Sequence, residues 1–171
     1  AAIINFLCSN YKLSMPPYID VVKNVGSDVP FFINKQPATI SGIGENVVNL
    51  NDTRPIKVII AVPKKGLSTK EIFEKYDEMK PKNTKKYSWN DISLFNDLWN
   101  TSVEIYPELN TIKQNLEVRY NKNFFMSGSG SALFSLFEEH EEIEEIDSEE
   151  LNLKFFSITK KIDCSFSQND D

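Results

Sequence analysis

The residue that most clearly suggests chemistry is Asp28, in the segment Gly-Ser-Asp-Val-Pro-Phe-Phe at 26–32. Gly26 frees the backbone before it, while Pro30 fixes its own φ and disfavours the α region for Val29. The two phenylalanines that end the segment favour burial. The pattern therefore predicts a carboxylate held with little freedom at a cleft edge, as a catalytic base or orienting group would be. An Asx turn or a helix cap fits the same residues, and the local sequence does not separate these readings.

The second candidate is the sequence Ser-Gly-Ser-Gly-Ser at 127–131, which joins two apolar segments. Backbone N–H groups of such a loop can form a nest for an anion, and glycine lets a ligand approach closely. It is not a Walker loop, because no Gly-Lys-Ser/Thr follows and the next residues predict a strand. A plain tight turn is the alternative on the residues alone.

The elements that must position these groups follow from the hydrophobic periodicity. Helices are predicted at 1–13, 16–25, 69–79, 91–105, 107–120 and 138–150, the last as an acidic helix with a solvated face. Strands are predicted in a hairpin over 36–50 and at 56–62, 132–137 and 154–162, with a linker at 51–55 and a loop at 80–86. The order from residue 56 onward fits a two-layer α/β lobe, with helices packed on a sheet.

Composition excludes several classes of function. With 171 residues, 40% hydrophobic and 26% charged, the chain is predicted to be globular, with one domain or two small lobes. A net charge of -6 and a pI near 4.9 argue against nucleic-acid and anionic-membrane partners, although a local basic pocket for a phosphorylated ligand stays possible. Apolar runs such as 58–62 are too short to span a bilayer. Cys8 and Cys164 lack the spacing of a disulfide framework or a zinc site, and no signal peptide is predicted in residues 1–8.

Several motifs, in this order, resemble those of the GHMP small-molecule kinases. The most specific are the stretches at 26–32 and 126–134, the latter reading MSGSGSALF. Supporting stretches are SGIGE at 41–45, KVIIAVP at 57–63, STKEIF at 68–73, NDL at 96–98 and YPEL at 106–109. The resemblance implies an α+β fold with the two-lobe GHMP architecture. Residues 1–52 would be the remainder of the N-terminal, ATP-binding domain, and residues 55–171 a ferredoxin-like C-terminal domain.

The resemblance also implies a reaction. It is phosphoryl transfer from ATP, with Mg²⁺, to the 2-hydroxyl of a cytidine-diphosphate-linked methylerythritol in non-mevalonate isoprenoid biosynthesis. Asp28 would lie beside the accepting hydroxyl; because the transition state is loose, positioning and charge neutralisation matter more than strong base catalysis. Thr69 and Phe73 match positions where the family contacts cytidine, and an aromatic face there could stack on the base. Without the resemblance, Phe73 would be assigned to the core of an amphipathic helix.

The glycine-rich stretch takes its expected role from the same resemblance. Ser127, Gly128, Ser129 and Gly130 match the family's third glycine motif, which implies that they shape the phosphate and substrate end of the cleft. No metal-ligating residue is identified in the sequence.

Two motifs of the family have no counterpart in these residues. One is the N-terminal strand with a catalytic Lys and a substrate-contacting His and Tyr, and the other is the glycine-serine-rich loop that cradles the ATP phosphates. The chain also begins without Met in an apolar stretch typical of the middle of a helix, so we expect an incomplete piece of a longer kinase, whose activity alone is in question. A non-catalytic α/β binding module, or a degenerate GHMP-like protein, is the alternative. The implied location is a bacterial cytoplasm or a plastid, and the sequence does not specify an oligomeric state.

Overall fold

The computed structural model describes residues 29–34, 38–42, 46–49, 55–81, 85–89 and 92–160, and the single positions 3, 6, 10, 11, 26 and 44. The described residues belong to two compact units, the first drawn from Ala1–Arg54 and the second from Pro55–Lys161. The helix predicted at 16–25 and the linker at 51–54 lie outside the described residues.

The first unit contains a short helix and a hairpin. Helix α1 spans Val29–Asn34, and strands β1 (Ala38–Ser41) and β2 (Asn46–Asn49) pair antiparallel. Ser41 pairs with Asn46, so the turn predicted between the strands is confirmed. Positions 3, 6 and 10 are helical, within the helix predicted at 1–13.

Helix α1 contradicts the expectation that Pro30 would keep Val29 out of the α region. Val29 is the first helical residue, and its N–H donates to the carbonyl oxygen of Gly26 at 3.1 Å. Pro30 is buried in the first turn, where the backbone N–H groups have no helical partner to lose. Phe32 remains 59% exposed, so burial of both phenylalanines was also a wrong expectation.

The second unit is built on a four-stranded antiparallel sheet. Its strands are β3 (Ile56–Pro63), β6 (Phe125–Met126), β7 (Leu133–Glu138) and β8 (Leu153–Lys160), in the spatial order β6-β7-β3-β8. Strands β7 and β3 are therefore central, and β6 and β8 lie at the edges. This is the ferredoxin-like order, and it confirms the predicted α+β class.

The connection from β3 to β6 carries the helices of the unit. It contains helix α2 (Thr69–Met79), the two-stranded ribbon β4 (Tyr87–Trp89) and β5 (Ile92–Leu94), and helices α3 (Trp99–Ile105) and α4 (Glu108–Tyr120). The strands predicted at 56–62, 132–137 and 154–162, and the helix predicted at 107–120, are confirmed within two residues at their ends.

One face of the sheet forms the core with α4. Alternate residues of β3 and β7 are buried, as expected for strands with one face against a helix layer. On α4 the buried positions recur at intervals of three and four residues, which places them on one side of the helix. The fully buried members of this cluster include Ile59, Ala61, Leu109, Leu116, Phe124 and Leu133.

Helix α2 has the bounds that the sequence predicts. Ser68 is its N-cap, with an extended backbone and a hydroxyl that accepts from the N–H of Glu71 at 3.4 Å. Lys80 ends the helix in the left-handed region at φ 46°, and its N–H donates to the carbonyl of Tyr76 at 2.8 Å. The helix therefore begins at a defined point, with Thr69 as its first residue.

The helix predicted at 91–105 is wrong in its first half. Residues 92–94 form strand β5, which pairs with β4 in a register that sets Trp89 opposite Ile92 in the backbone ladder. Both segments alternate apolar and polar residues around the dipeptide Asn-Asp, which is a hairpin pattern. Only Trp99–Ile105 is helical.

The acidic helix predicted at 138–150 is also wrong, because residues 139–152 form turns and irregular backbone. Side chains from elsewhere occupy backbone carbonyls that a helix would use. Lys57 Nζ donates to the carbonyl of Glu141 at 2.6 Å, and Tyr120 Oη donates to that of Glu144 at 2.8 Å. Many glutamates would also repel one another at helical spacing. Ile143 and Ile146 nevertheless pack on the core, so the apolar spacing reflects burial without a helix.

Candidate functional site

The candidate site of the second unit is the loop at 127–131, which we call the glycine loop, together with the first turn of α2. The loop joins β6 to β7. Gly128 has φ +55° and Gly130 has φ +92°, values that residues other than glycine rarely adopt. The Ser127 N–H donates to the carbonyl of Ala132 at 2.9 Å, and the Gly130 N–H donates to that of Ser127 at 3.0 Å. The glycine loop is therefore a defined turn.

A hydrogen bond joins the glycine loop to α2. The hydroxyl oxygens of Thr69 and Ser129 are 2.8 Å apart. Ser131 Oγ donates to the carbonyl of Lys65 at 2.7 Å, which holds the other end of the loop against the segment before α2. The structure thus brings together two residues, Thr69 and Ser129, that the sequence places sixty positions apart in the chain.

Phe73 lies one helical turn after Thr69 and is 51% exposed. Residues four apart on a helix share a face, and their Cα atoms are separated by about 6 Å along the axis. The buried residue of α2 is Ile72, which lies about 100° around the helix from Phe73. Phe73 is therefore not the core residue that its amphipathic pattern alone would suggest, and its ring is available to a ligand near the glycine loop.

Two backbone donors of the glycine loop are unused within the described part of the chain. The N–H groups of Gly128 and Ser129 have no hydrogen-bond partner among the described residues. Consecutive free N–H groups in a turn with left-handed residues are the feature that lets a loop bind an anion. The geometry is thus compatible with the phosphate-binding role that the sequence suggested.

Asn96 is a residue of this site that sequence reasoning used only as part of a supporting motif. Its Nδ2 donates to the carbonyl oxygens of Met126 and Gly128, each at 2.8 Å. Its Oδ1 accepts from the N–H of Leu98 at 2.9 Å, just before α3. An Asn three residues ahead of a helix start is a recognisable turn signal, but nothing in the sequence indicates its second contact with the glycine loop.

A cleft of about 250 Å³ lies beside Asn96 in the second unit. Its walls are largely aromatic, and Lys85 and Lys113 bring two cations to it. Lys113 pairs with Glu117 at 2.5 Å and lies over the ring of Trp99 at 5.5 Å. The full lining is Lys85, Tyr87, Phe95, Asn96, Trp99, Asn100, Lys113, Phe124, Phe125 and Met126.

The basic pair Lys64–Lys65, just before α2, is engaged with the protein. Lys64 Nζ forms an ion pair with Glu149, and Lys65 Nζ lies 4.7 Å from the centre of the Tyr106 ring. Burial, and to a smaller extent the charge of Glu108, raises the pKa of Tyr106 above its ordinary value. The neutral phenol therefore provides the ring that faces the Lys65 cation.

Asp28, the carboxylate predicted to act in catalysis, lies outside the described residues. Among the described residues, no group of three His, Cys, Asp or Glu side chains could hold a metal ion. In the same part of the chain, no helix has the length and apolar character needed to cross a membrane.

Residues 85–149 match the family model described as GHMP kinases C terminal. Three curated relatives share the name 4-diphosphocytidyl-2-C-methyl-D-erythritol kinase. The protein from Protochlamydia amoebophila is 37% identical over 114 residues, which cover 66% of this chain and 40% of that protein. The one from Clostridioides difficile is 32% identical over 147 residues (77% and 49%), and the one from Wolbachia sp. subsp. Brugia malayi is 31% identical over 153 residues (82% and 52%). The chain thus spans about half the length of the curated relatives it matches.

A crystal structure of 4-(cytidine 5'-diphospho)-2C-methyl-D-erythritol kinase has a similar fold. The TM-score is 0.58 at 20% identity, and the match covers 79% of this chain and 53% of that one. At this identity the likeness concerns the fold alone. The structural match is longer than the segment that matches the family model, residues 85–149. It is also longer than the second unit, Pro55–Lys161.

Proposed function

The chain belongs to the GHMP kinase family, and we propose that the protein containing it transfers a phosphoryl group from ATP to the 2-hydroxyl of 4-diphosphocytidyl-2-C-methyl-D-erythritol. In this reaction the hydroxyl oxygen bonds to the γ-phosphorus, the bond to the β-γ bridging oxygen breaks, and ADP leaves as the hydroxyl gives up its proton. The names of the matched relatives support the substrate, and the family model supports the class of enzyme.

The observation that carries the proposal is the hydrogen bond between Thr69 and Ser129, because it sets an aromatic face beside a loop with free N–H donors. Phe73 offers a ring that can stack on a pyrimidine, and Thr69 offers a hydroxyl one turn away. The N–H groups of Gly128 and Ser129 suit phosphate oxygens. A ligand with a base at one end and phosphates at the other, such as a cytidine diphosphate ester, matches this order of groups.

Asp28 takes the role of base or orienting group in this proposal. A carboxylate beside the accepting hydroxyl would accept its proton or align a lone pair of the oxygen with the γ-phosphorus. Since phosphoryl transfer has a loose transition state, the main contribution would be alignment. Gly130 and Ser127 would shape the loop around the phosphate end without donating to the ligand, because their N–H groups are already bonded.

ATP and Mg²⁺ enter the proposal in different ways. ATP is the phosphoryl donor that a kinase of this family requires, whereas Mg²⁺ is the ion that would neutralise its phosphates. The described residues contain no cluster of three possible metal ligands, so we assign none of them to Mg²⁺ and derive no step through the ion. We further propose that residues 1–52 and 55–171 correspond to the two GHMP domains, and that the protein acts in a bacterial cytoplasm or a plastid.

The test is ATP-dependent phosphorylation of 4-diphosphocytidyl-2-C-methyl-D-erythritol by the complete protein, followed by ³¹P NMR of the product. We expect turnover with this substrate, and a loss of about a hundredfold or more in kcat for Asp28→Ala, since misalignment of the reacting groups can cost about that much. Asp77→Ala, a change of the same type on α2, serves as the control for loss of charge. Absence of turnover in the complete wild-type protein would overturn the proposed function. Equal turnover in the wild type and Asp28→Ala would overturn only the role of Asp28.

A further inference from the structure

We propose that Asn96 is a positioning residue that sets the direction in which the glycine loop presents the N–H donor of Ser129. The inference rests on the proposed function, since that function gives the donor a phosphate to bind. It goes further in assigning a residue outside the loop and outside α2 to the control of the site.

Both polar atoms of the Asn96 carboxamide form hydrogen bonds with the backbone. Its Oδ1 accepts from the N–H of Leu98, and its two Nδ2 hydrogens serve the carbonyls of Met126 and Gly128. These partners fix which end of the side chain is oxygen, because a backbone N–H requires an acceptor and the two carbonyls require a donor. Asn96 is half-buried, so its orientation is set by the protein more than by solvent.

The bond to the Gly128 carbonyl determines where the next N–H points. In a trans peptide unit the C=O and the following N–H point in opposite directions. Since the Gly128 oxygen points at Asn96, the Ser129 N–H points away from Asn96, and it has no hydrogen-bond partner among the described residues. If this peptide unit rotated, its carbonyl oxygen would face the ligand and repel a phosphate. Asn96 opposes that rotation.

A purely structural role for Asn96 would be to cap the start of α3. Its Oδ1 bond to Leu98 forms an Asx turn, and its carbonyl accepts from the N–H of Trp99 at 3.1 Å. The two roles use different atoms of one side chain. Asn96→Asp separates them, because aspartate has the same shape and keeps the capping oxygen, but places an oxygen where the donor to the loop was.

The test uses the full chain with Asn96→Asp, and measures amide exchange by NMR at the two bonded N–H groups of the loop, Ser127 and Gly130. We expect their exchange to become about tenfold faster, because two hydrogen bonds are lost, while exchange at Ile59 in the sheet stays unchanged. Asn115→Asp is the matched control, since it makes the same chemical change on an exposed residue of α4. Loop exchange equal to that of the wild type, or a uniform rise through the whole unit, would overturn the proposal.

A second variant and a kinetic readout complete the test. Asn96→Ala removes the donor without introducing a new oxygen, and it should also speed amide exchange in the loop. It replaces Asn96→Asp in the test if that variant does not fold. In the complete protein, Asn96→Asp should lower kcat/KM for the cytidine substrate about tenfold, with no change for Asn115→Asp. An unaffected kcat/KM in a variant with fast loop exchange would overturn the positioning role. Because amide exchange does not depend on catalysis, a wild-type protein without kinase activity would refute the proposed function separately.

Discussion

Two irregular connections flank the central strand β7, and they are stabilised in different ways. The glycine loop precedes the strand and is held by neutral hydrogen bonds from Thr69, Asn96 and its own Ser131. Residues 139–152, which we call the acidic segment, follow the strand and are held largely by ion pairs. The pairs are Lys122–Glu141 at 2.6 Å, Arg119–Glu150 at 3.2 Å, Arg119–Glu144 at 3.6 Å, and Lys64–Glu149.

This difference assigns the two connections different tasks. Neutral hydrogen bonds to backbone groups are directional, so they fix the orientation of individual peptide units in the glycine loop. Ion pairs between long side chains near solvent tolerate several geometries and are screened by salt. They therefore hold a segment against the protein without fixing the orientation of its peptide units. We infer that the glycine loop serves ligand binding, whereas the acidic segment covers the core in place of a second crossover helix.

The largest expected effect is on the glycine loop, at Gly130. A Cβ there would lie 2.9 Å from both Leu67 Cδ1 and Met126 Sδ, in addition to the strain of φ +92°. We expect Gly130→Ala to lower the free energy of unfolding by about 2–3 kcal/mol, the sum of backbone strain and crowding. Urea unfolding followed by tryptophan fluorescence measures this, because Trp89 and Trp99 both lie in the second unit.

Gly128 and Gly66 provide graded controls for that experiment. Gly128 has φ +55° but open space around its Cβ position, and Gly66 has open space without a positive φ. Gly128→Ala should therefore cost about 1 kcal/mol, and Gly66→Ala close to nothing. Equal costs at Gly128 and Gly130 would show that contact with Leu67 and Met126 does not constrain the loop.

The next effect concerns the best-placed ion pair of the acidic segment, Lys122–Glu141. Both side chains are less than a third exposed, and Glu141 also accepts from the N–H of Glu138 at 2.7 Å. We expect Lys122→Ala to cost about 1 kcal/mol in 50 mM salt and less in 500 mM salt. Lys70→Ala, which removes a highly exposed partner of Glu74, should be neutral. A cost for Lys122→Ala that does not change with salt would mean that its contact with the Phe137 ring dominates.

A smaller effect should depend on pH. The hydrogen bond from Lys122 holds the pKa of Glu141 below its ordinary value, against the opposing effect of burial. A carboxyl with a lowered pKa stabilises the fold above its unfolded pKa of about 4.5, and this contribution is lost as the pH falls through the folded pKa. The stability difference between the wild type and Glu141→Gln, measured by urea unfolding, should therefore be larger at pH 7 than at pH 3. A difference that is equal at both pH values would contradict the assigned cause.

The smallest effect is expected for Lys64, which pairs with Glu149 of the acidic segment. Lys64 is 43% exposed and Glu149 is 71% exposed. Lys64→Ala should change the free energy of unfolding by less than about 0.5 kcal/mol, because exposed pairs gain little over solvation. A cost as large as that for Lys122→Ala would show that the acidic segment is fastened evenly along its length.

Local signals in the sequence were sufficient for most of the regular elements, although α1 and the ribbon of β4 and β5 were not predicted. The β-branched run at 56–62 predicted β3, and Ser68 with Glu71 three residues later marks the start of α2. The helix prediction for the acidic segment failed because apolar spacing indicates burial. An irregular segment can also be buried when distant side chains hydrogen-bond to its backbone. Lys57 and Tyr120 provide those contacts, and their distance along the chain makes them invisible to a periodicity argument.

The candidate site was predictable only in part. Thr69, Phe73 and the glycine loop were chosen from motif resemblance, and the structure adds the contact between Thr69 and Ser129. Asn96 was not assigned a role, because its action depends on the direction of the Gly128–Ser129 peptide unit, 32 residues along the chain from Asn96 to Gly128. Such a direction has no signature in amino-acid type or spacing.

The central claim is that the exposed face of α2 and the glycine loop bind one nucleotide-linked substrate. The most direct measurement is the KM for 4-diphosphocytidyl-2-C-methyl-D-erythritol in the complete protein with Phe73→Ala, compared with Phe155→Ala, a similarly exposed phenylalanine on β8. Loss of a stacking partner should raise the KM about tenfold or more for Phe73→Ala and leave it unchanged for Phe155→Ala. An unchanged KM in Phe73→Ala, with normal turnover, would contradict the claim.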